Sequence, residues 1–226
     1  MKIVGLTGGI STGKSTVSRI LSDAGYPIID ADLIAREILY PGKPAYNQIV
    51  KTFSTDVLQS NGEIDRAKLG SIIFTDEKAR EKLNRCTHPY VRRRMAELVL
   101  YYYITGHSMI FMDIPLLYET KLDKFMSCVM VVYCSPEVQL QRLTLRDGST
   151  FQAAQNRVNA QMSIEKKKEL ADIVIYNTGT IDETQEQVKA LLYELQPSIF
   201  TTLFYLAAPV VSVASLVLGI QYLFTK

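Results

Sequence analysis

The stretch GLTGGISTGKST, residues 5–16, decides the fold, because its glycines are too frequent for a helix and too close together to pack. Gly8 is followed by four residues and then by Gly13, Lys14 and Ser15, which matches the pattern G-x-x-x-x-G-K-[ST]. Such glycines let backbone N–H groups curl around phosphate oxygens, and the lysine adds a positive charge. The stretch therefore predicts a phosphate-binding loop, the P-loop.

The segments on either side of the P-loop agree with this interpretation. KIVGLT (2–7) is an unbroken apolar run typical of a buried parallel strand, and Val17, Ile20 and Leu21 follow helical spacing. We expect a nucleoside triphosphate with Mg²⁺, in which Lys14 reaches the β- and γ-phosphates and Ser15 coordinates the metal. The loop residues predicted to contact this ligand are Gly8, Gly9, Ile10, Ser11, Thr12, Gly13, Lys14, Ser15 and Thr16.

Four further apolar segments follow the P-loop, and helical patterns separate them. These predicted strands are PIIDAD (27–32), SMIFMDI (108–114), SCVMVVYC (127–134) and DIVIYN (172–177). Alternation of strands and helices predicts an α/β fold with a parallel sheet of about five strands and helices on both faces. Ligands of such sheets bind at the carboxyl ends of the strands.

The second and third predicted strands lie roughly 75 residues apart, far more than one crossover helix needs. We therefore expect a helical insert at 35–106 that binds the acceptor substrate, and a P-loop core formed by 1–34 and 107–196. Within the core, residues 135–163 are predicted to form a lid. The capping-box pair Thr180 and Glu183 predicts the start of the last helix of the core.

Composition restricts the classes of partner. The chain of 226 residues is 47% apolar and carries a net charge of +2, so it can fill a core and is predicted to have no nucleic-acid partner. Its three cysteines form no CxxC pair and indicate reduced thiols rather than disulfides or metal ligands.

Among P-loop proteins, a small-molecule kinase fits better than a GTPase. TKLD (120–123) spells a guanine-reading motif, but it lies beyond the third predicted strand instead of ending one. Asp113 is followed three residues later by Leu116, so the DxxG motif of GTPases is absent too. A kinase needs a carboxylate near the acceptor hydroxyl, an arginine-bearing lid and an acceptor-binding insert.

The carboxylate candidates are Asp30 and Asp32, at the end of the second predicted strand. A carboxylate there can orient the attacking hydroxyl and accept its proton. We favour Asp32, with Arg36 one helical turn later as a phosphate partner. The alternative is that one of the two aspartates caps the following helix.

The predicted lid begins with Ser135 and Pro136, which are typical of the first residues of a helix. Arg142 and Arg146 lie on one face of that helix, and Arg157 lies on the next one. Arginines that close over a triphosphate stabilise the charge that develops during transfer, although each could instead form a surface ion pair. EKKKE (165–169) is interpreted as a solvated face.

The insert contains CTHPYVRRR (86–94), in which His88 and Pro89 predict either a helix start or a substrate contact. Arg92 and the two arginines after it would either bind acceptor phosphates or merely solubilise the helix. Asp113 ends a predicted strand at the position of a Walker B aspartate, where it would hold Mg²⁺ through water.

Six segments together resemble the dephospho-CoA kinase family, in the order that this family shows and over residues 2 to about 195. They are VGLTGGISTGKSTV, DADLIAR, THPYVR, DIPLLYE, QRLTLRD and ADIVIYNTG. The resemblance implies a nucleotide domain, a helical CoA-binding domain and a lid. It also implies ATP-dependent phosphorylation of the ribose 3′-hydroxyl of dephospho-CoA, the last step of CoA biosynthesis.

The resemblance implies site residues by position. Asp32 would be the catalytic base, with Lys14 and Arg142 also catalytic. Arg146 and Asn177 would join the P-loop at ATP, Asn177 by the adenine. The Mg²⁺ candidates Ser15 and Asp113 come from the P-loop pattern and the strand end, as given above. The residues expected at the substrate are Arg36, His88, Arg92, Leu117 and Arg157.

The C-terminal segment 199–224 is apolar and lacks charged residues. As a helix it would be roughly 39 Å long at 1.5 Å per residue, enough to span a bilayer core of about 30 Å. We expect a membrane anchor at 197–226, with the kinase domain in the cytosol at the endoplasmic reticulum or mitochondrial outer membrane. The alternative for this segment is a helix buried on the kinase core or in a dimer interface. The alternatives for function are another nucleotide or nucleoside kinase and a membrane adaptor without phosphotransfer.

Overall fold

The computed structural model describes residues 1–195 of the chain. Five strands form one sheet in the order β2-β3-β1-β4-β5. Their bounds are β1 Lys2–Gly8, β2 Ile28–Asp30, β3 Met109–Asp113, β4 Cys128–Tyr133 and β5 Ile173–Tyr176. The five predicted strands are thereby confirmed to within about two residues at each end, because unbroken apolar runs mark strands that are covered on both faces.

Strand β1 lies at the centre of the sheet. It pairs in parallel with β3 on one side and with β4 on the other, and β4 pairs in parallel with β5. The register places Leu6 beside Asp113 and Gly8 beside Val132. The carboxyl ends of β1, β3 and β4 therefore share one edge of the sheet, from which the P-loop leaves.

Helices separate the strands along the described chain. Their bounds are α1 Lys14–Asp23, α2 Ala31–Glu37, α3 Pro44–Phe53, α4 Arg66–Thr75, α5 Glu77–Ile104, α6 Pro136–Asp147, α7 Phe151–Asn159, α8 Ile164–Leu170 and α9 Ile181–Leu195. The predicted capping box of the last helix is confirmed, since the Thr180 N–H donates to the Glu183 carboxylate and the Glu183 N–H donates to the Thr180 hydroxyl. Ser135 and Pro136 begin α6 as predicted.

The chain divides into two compact units, each with its own apolar core. Among the described residues, the first unit comprises Met1–Ile29 and 101–195, and Leu6, Phe111 and Val132 lie fully buried in its core. The second, Asp30–Leu100, packs Ile49, Val57 and Cys86. These bounds differ by about five residues from the expected insert at 35–106, because the last turn of α5 belongs to the first unit.

Pro89 does not begin a helix, contrary to one of the two readings of His88-Pro89. It lies inside α5, which starts twelve residues earlier at Glu77. Proline lacks an N–H and so removes one helical hydrogen bond, but a helix of 28 residues retains the others around it.

The predicted membrane location is corrected. No helix within residues 1–195 is both long and apolar enough to cross a bilayer. Segment 197–226, from which the anchor and the endoplasmic reticulum or mitochondrial location were inferred, lies outside the described residues, and that location is withdrawn.

Candidate active site at the P-loop

The P-loop connects β1 to α1 and opens at the N-terminus of α1. Gly13 precedes this helix in the left-handed conformation, with φ of 92°, and provides no side chain to cap it. The start of α1 thus receives no side-chain cap, and its first N–H groups lie at the positive end of the helix dipole and point into the loop. Ser15 is exposed at this end, while Thr16 donates its N–H to the Gly13 carbonyl. This arrangement can bind an anion such as a triphosphate.

Amide side chains pack directly against two glycines of the P-loop, and their present positions leave no space for a Cβ atom. A Cβ atom on Gly9 would lie 2.4 Å from Nε2 of Gln139, and one on Gly13 would lie 1.9 Å from Nδ2 of Asn177. Ile10 lies between them and forms two hydrogen bonds to side chains: its N–H donates to Gln161, and its carbonyl accepts from Gln139. The loop backbone is therefore held from outside by side chains of α6 and of the segments after α7 and β5.

Lys14 forms an ion pair with Asp113 at the end of β3. The Asp113 side chain is almost completely buried, at 3% exposure, whereas that of Lys14 is 18% exposed. Because β1 and β3 are adjacent strands of the sheet, Lys14 and Asp113 come into contact although they lie 99 positions apart in the sequence. Asp113 thus orients the lysine at the mouth of the P-loop.

Lys167 contradicts the interpretation of EKKKE as a solvated face, because its side chain is completely buried. Its ammonium donates to the carbonyls of Pro115 (2.8 Å) and Gly8 (3.4 Å) and lies 3.0 Å from the Glu119 carboxylate. Burial lowers the pKa of Lys167, Glu119 opposes that change, and the nearby charge of Lys14 adds to it. A lysine of α8 therefore lies directly behind the P-loop.

Asn177 follows β5 and is buried, with its side chain in a hydrogen-bonded row. Its amide donates to the Thr12 carbonyl at 2.7 Å and accepts from the Thr184 hydroxyl at 2.8 Å. The side chain is thus committed to the P-loop and to α9. An adenine contact, which the sequence implied for Asn177, would have to come from its backbone or from a rearranged side chain.

The three predicted lid arginines differ in their contacts. Arg142 donates to the backbone carbonyl of Asn177 at 2.8 Å. It therefore lies beside a residue whose side chain is hydrogen-bonded to the P-loop. Arg146 and Arg157 both pair with the exposed carboxylate of Asp147, as the surface-pair alternative expected. The Arg146 guanidinium, by hydrogen bonding and charge, holds the pKa of Asp147 below its usual value.

In the second unit, Asp30 and Asp32 divide two tasks. The Asp30 carboxylate accepts from the N–H groups of Asp32 and Leu33 and thereby caps α2. Asp32 and Arg36 are exposed and lie four residues apart, on one face of α2. Because Asp30 performs the capping that was the alternative role, the carboxylate of Asp32 stays available for chemistry.

The arginines of α5 differ in their contacts. Arg93 and Arg94 pair with Glu97, and Arg94 also lies 3.7 Å from Glu37 of α2. They line a cavity of about 230 Å³ inside the second unit. His88 and Arg92 are exposed and one turn apart, so they present an imidazole and a guanidinium on the same face of the helix.

Leu117 is placed in the core and not at a surface where a substrate could touch it. It is fully buried, and a Cβ atom on Gly5 of β1 would lie 2.8 Å from its Cδ2. The apolar leucine is better explained by packing under β1 than by the substrate contact implied for it.

Four residues at this site were absent from the sequence-based prediction: Glu119, Gln139, Gln161 and Lys167. The burial of Lys167 could have been predicted from helical spacing. Lys167 lies three residues after Ile164, which is also buried, so both side chains lie on the same face of α8. The two glutamines belong to no motif and reach the P-loop across 129 and 151 positions of sequence. Local pattern carries no information on such contacts.

Comparisons with known proteins agree with the geometry. The sequence model of the family described as dephospho-CoA kinase matches residues 2–183. Dephospho-CoA kinase of Oryza sativa subsp. japonica is 45% identical over 192 residues, which cover 85% of this chain and 84% of that protein. That of Bacillus cereus is 47% identical over 190 residues, 84% of this chain and 95% of that protein.

A solved structure gives the same result. Dephospho-CoA kinase from Campylobacter jejuni superposes with a TM-score of 0.67 at 31% identity, covering 86% of this chain and 98% of that one. The matched family region includes the P-loop, the helical unit and the helices α6 and α7. This chain therefore belongs to the dephospho-CoA kinase family.

Proposed function

We infer that the protein transfers the γ-phosphoryl group of ATP to the ribose 3′-hydroxyl of dephospho-CoA and so completes coenzyme A. The observation that carries this conclusion is the family match over residues 2–183, which includes the P-loop and the whole helical unit. The P-loop alone would indicate a nucleotide but not an acceptor.

In this proposal the first unit binds ATP. The uncapped N–H groups at the start of α1 bind phosphate oxygens, and Lys14 moves from Asp113 to the β- and γ-phosphates. Arg142, already beside the P-loop support, stabilises charge during transfer. Arg146 joins it once it leaves Asp147.

The second unit binds the acceptor in this proposal. Asp32 orients the 3′-hydroxyl and accepts its proton, while Arg36 contributes a positive charge to the pyrophosphate of the substrate. His88 and Arg92 on α5 are the further substrate contacts that we propose in this unit. Arg157 of α7 is the contact that we propose in the first unit. The side chains of His88 and Arg92 are exposed and can therefore reach the charged groups of a bound substrate.

The site also fits Mg²⁺, which would be held by Ser15 and Asp113. The buried hydroxyl of Ser11 has no hydrogen-bond partner among the described residues, as expected of a loop that closes on a polar ligand. No cluster of three metal-binding His, Cys, Asp or Glu side chains occurs in residues 1–195, but Mg²⁺ at phosphates needs only one or two protein ligands. When bound, Mg²⁺ neutralises phosphate charge.

The function is tested by initial rates of the purified full-length chain with ATP and Mg²⁺, comparing dephospho-CoA with AMP and CMP. We expect kcat/KM for dephospho-CoA to exceed that for either mononucleotide by at least about 100-fold, because a mononucleotide lacks the pyrophosphate and pantetheine parts that contribute binding energy. Preference for AMP or CMP would instead indicate another nucleotide kinase.

A further inference from the structure

Every second carbonyl of the P-loop accepts a hydrogen bond from a side chain outside the loop. The Gly8 carbonyl accepts from Lys167, the Ile10 carbonyl from Gln139, and the Thr12 carbonyl from Asn177. We call these donors the carbonyl-holding set: Gln139, Lys167 and Asn177. They come from α6, from α8 and from the segment after β5.

The carbonyl-holding set is built into the protein interior. Lys167 is 0% exposed, Gln139 is 2% exposed and Asn177 is 6% exposed. Each polar group pays a desolvation cost when it leaves water, so its burial needs compensation by such contacts. A loop that merely connects two elements does not need an ammonium and two amides buried behind it. Their burial therefore indicates that the conformation of this loop has a function.

The alternation has a consequence for the N–H groups. A carbonyl and the N–H of the next residue belong to one planar trans peptide and point in opposite directions. Donors that hold the carbonyls of residues 8, 10 and 12 outward therefore turn the N–H groups of Gly9, Ser11 and Gly13 inward. Inward N–H groups are what an anion requires of such a loop.

We propose that Gln139, Lys167 and Asn177 are positioning residues that preorganise the P-loop for the triphosphate of the nucleotide. The proposal rests on the function proposed above and adds a role for three residues that act through the loop backbone. It also explains Gly9 and Gly13: a Cβ atom at either would collide with the amide of Gln139 or Asn177. The loop and its supports fit only with glycine at these positions.

Lys167 extends the support beyond the loop. Its ammonium also binds the Pro115 carbonyl, which accepts the Thr7 hydroxyl at 3.0 Å. Glu119 balances the buried charge and accepts the Met162 N–H, which lies at the end of the predicted lid. One buried cation thus joins the start of the P-loop, the segment after β3 and the lid end.

A double variant separates positioning from charge balance. Lys167→Met alone would leave Glu119 without its cation, whereas Lys167→Met with Glu119→Gln removes both charges and keeps an acceptor for the Met162 N–H. In this double variant we expect the KM for ATP and the Kd for ATP to rise about tenfold. The KM for dephospho-CoA should change less than about twofold, since no acceptor contact is altered.

The matched control is Lys166→Met in the same helix. Lys166 is exposed and pairs with Glu169, so its replacement should leave all constants within about twofold. Gln139→Met is the second test, because it keeps the length of the side chain, adds no buried charge and removes the donor to the Ile10 carbonyl. It should raise the Kd for ATP at least about tenfold in a variant that circular dichroism shows to be folded.

The outcomes distinguish this proposal from the proposed function. If the wild-type protein does not bind ATP in calorimetry, the proposed function is wrong. If the wild-type protein binds ATP, and the folded double variant and Gln139→Met bind it within about twofold of wild type, the positioning role is overturned. Should the double variant not fold, Gln139→Met decides alone.

Discussion

Two carboxylates of the same short segment behave differently at the scale of single residues. Asp30 is engaged by two N–H groups as the cap of α2, whereas Asp32 is exposed. The sequence placed both at the end of a strand and left open which one caps. The hydrogen bonds resolve that alternative, because a cap must lie directly before the first helical residue.

Replacement of Asp32 by Asn tests its role as the base. We expect kcat to fall by about 10²- to 10⁴-fold, because an amide cannot accept the proton, while the Kd for ATP stays within about twofold. The measurements are steady-state rates and calorimetry. Asp30→Asn is the control, since asparagine also caps helices and should retain most of the turnover. Full turnover in Asp32→Asn would remove Asp32 from the chemistry.

Single residues also show which contacts a local sequence pattern can predict and which it cannot. The P-loop residues were identified because their function requires glycine, lysine and serine at fixed spacing. Gln139, by contrast, reaches the loop across 129 positions and could be any residue by its local pattern. Leu117 shows the reverse error: its place in a recognised segment suggested a ligand contact, but its burial gives it a packing role.

At the scale of elements, the α6–α7 pair contains the lid arginines in a contact that nucleotide binding should change. The pKa of the exposed Asp147 carboxyl is lowered first by its hydrogen bond to Arg146, with a smaller effect of Arg157. A lowered carboxyl pKa means that the pair contributes to stability above the ordinary value of 3.8 and loses that contribution as the pH falls.

We therefore predict the pKa of Asp147 in three samples, measured by carboxyl ¹³C titration. It should lie below 3.8 in the free protein and rise towards 3.8 in Arg146→Ala. Saturating ATP should also raise it, because Arg146 must leave Asp147 to bind phosphate. If ATP leaves the pKa of Asp147 unchanged while Arg146→Ala raises it, Arg146 stays in its surface pair and does not act on the nucleotide.

Elements were predicted well where the chain signals its own boundaries. The starts of α6 and α9 follow from Ser135-Pro136 and from the Thr180–Glu183 capping box. The start of α5 was not predicted, since Pro89 suggested a boundary inside what is a continuous helix. A proline removes only one hydrogen bond of a helix. The packing of the long helix outweighs the preference of proline for a helix start.

At the scale of the whole molecule, the central strands carry the stability of the first unit. Phe111 of β3 is fully buried. Its ring packs edge-to-face against the Tyr26 ring, with 5.7 Å between the two ring centroids. We expect Phe111→Ala to lower the free energy of unfolding by about 3–5 kcal/mol, because it leaves a cavity that a close-packed sheet cannot fill. Urea unfolding measures this change.

The control for this prediction is Phe125→Ala, since 73% of the Phe125 surface is exposed. It should change the free energy of unfolding by less than about 0.5 kcal/mol. Equal losses in the two variants would show that Phe111 is not packed in the core of the first unit.

The α/β class could be predicted because covered strands need continuous apolar runs and helices need their own period. The strand order could not be read in the same way, since it depends on pairings such as β1 with β3 across more than 100 residues of chain. The apolar segment 197–226 shows the limit of composition alone: it suggested a membrane location, which is withdrawn for the reasons given above.

The central claim is transfer of a phosphoryl group to one hydroxyl of one acceptor. Its most direct test is to incubate the purified full-length protein with ATP, Mg²⁺ and dephospho-CoA and to locate the new phosphate by ³¹P and ¹H NMR, with Lys14→Met as the inactive control. We predict a single product phosphorylated at the ribose 3′-hydroxyl, identical to coenzyme A, and at least about 100-fold less of it with Lys14→Met. Absence of that product with the wild-type protein, or a phosphate at another position, would contradict the account.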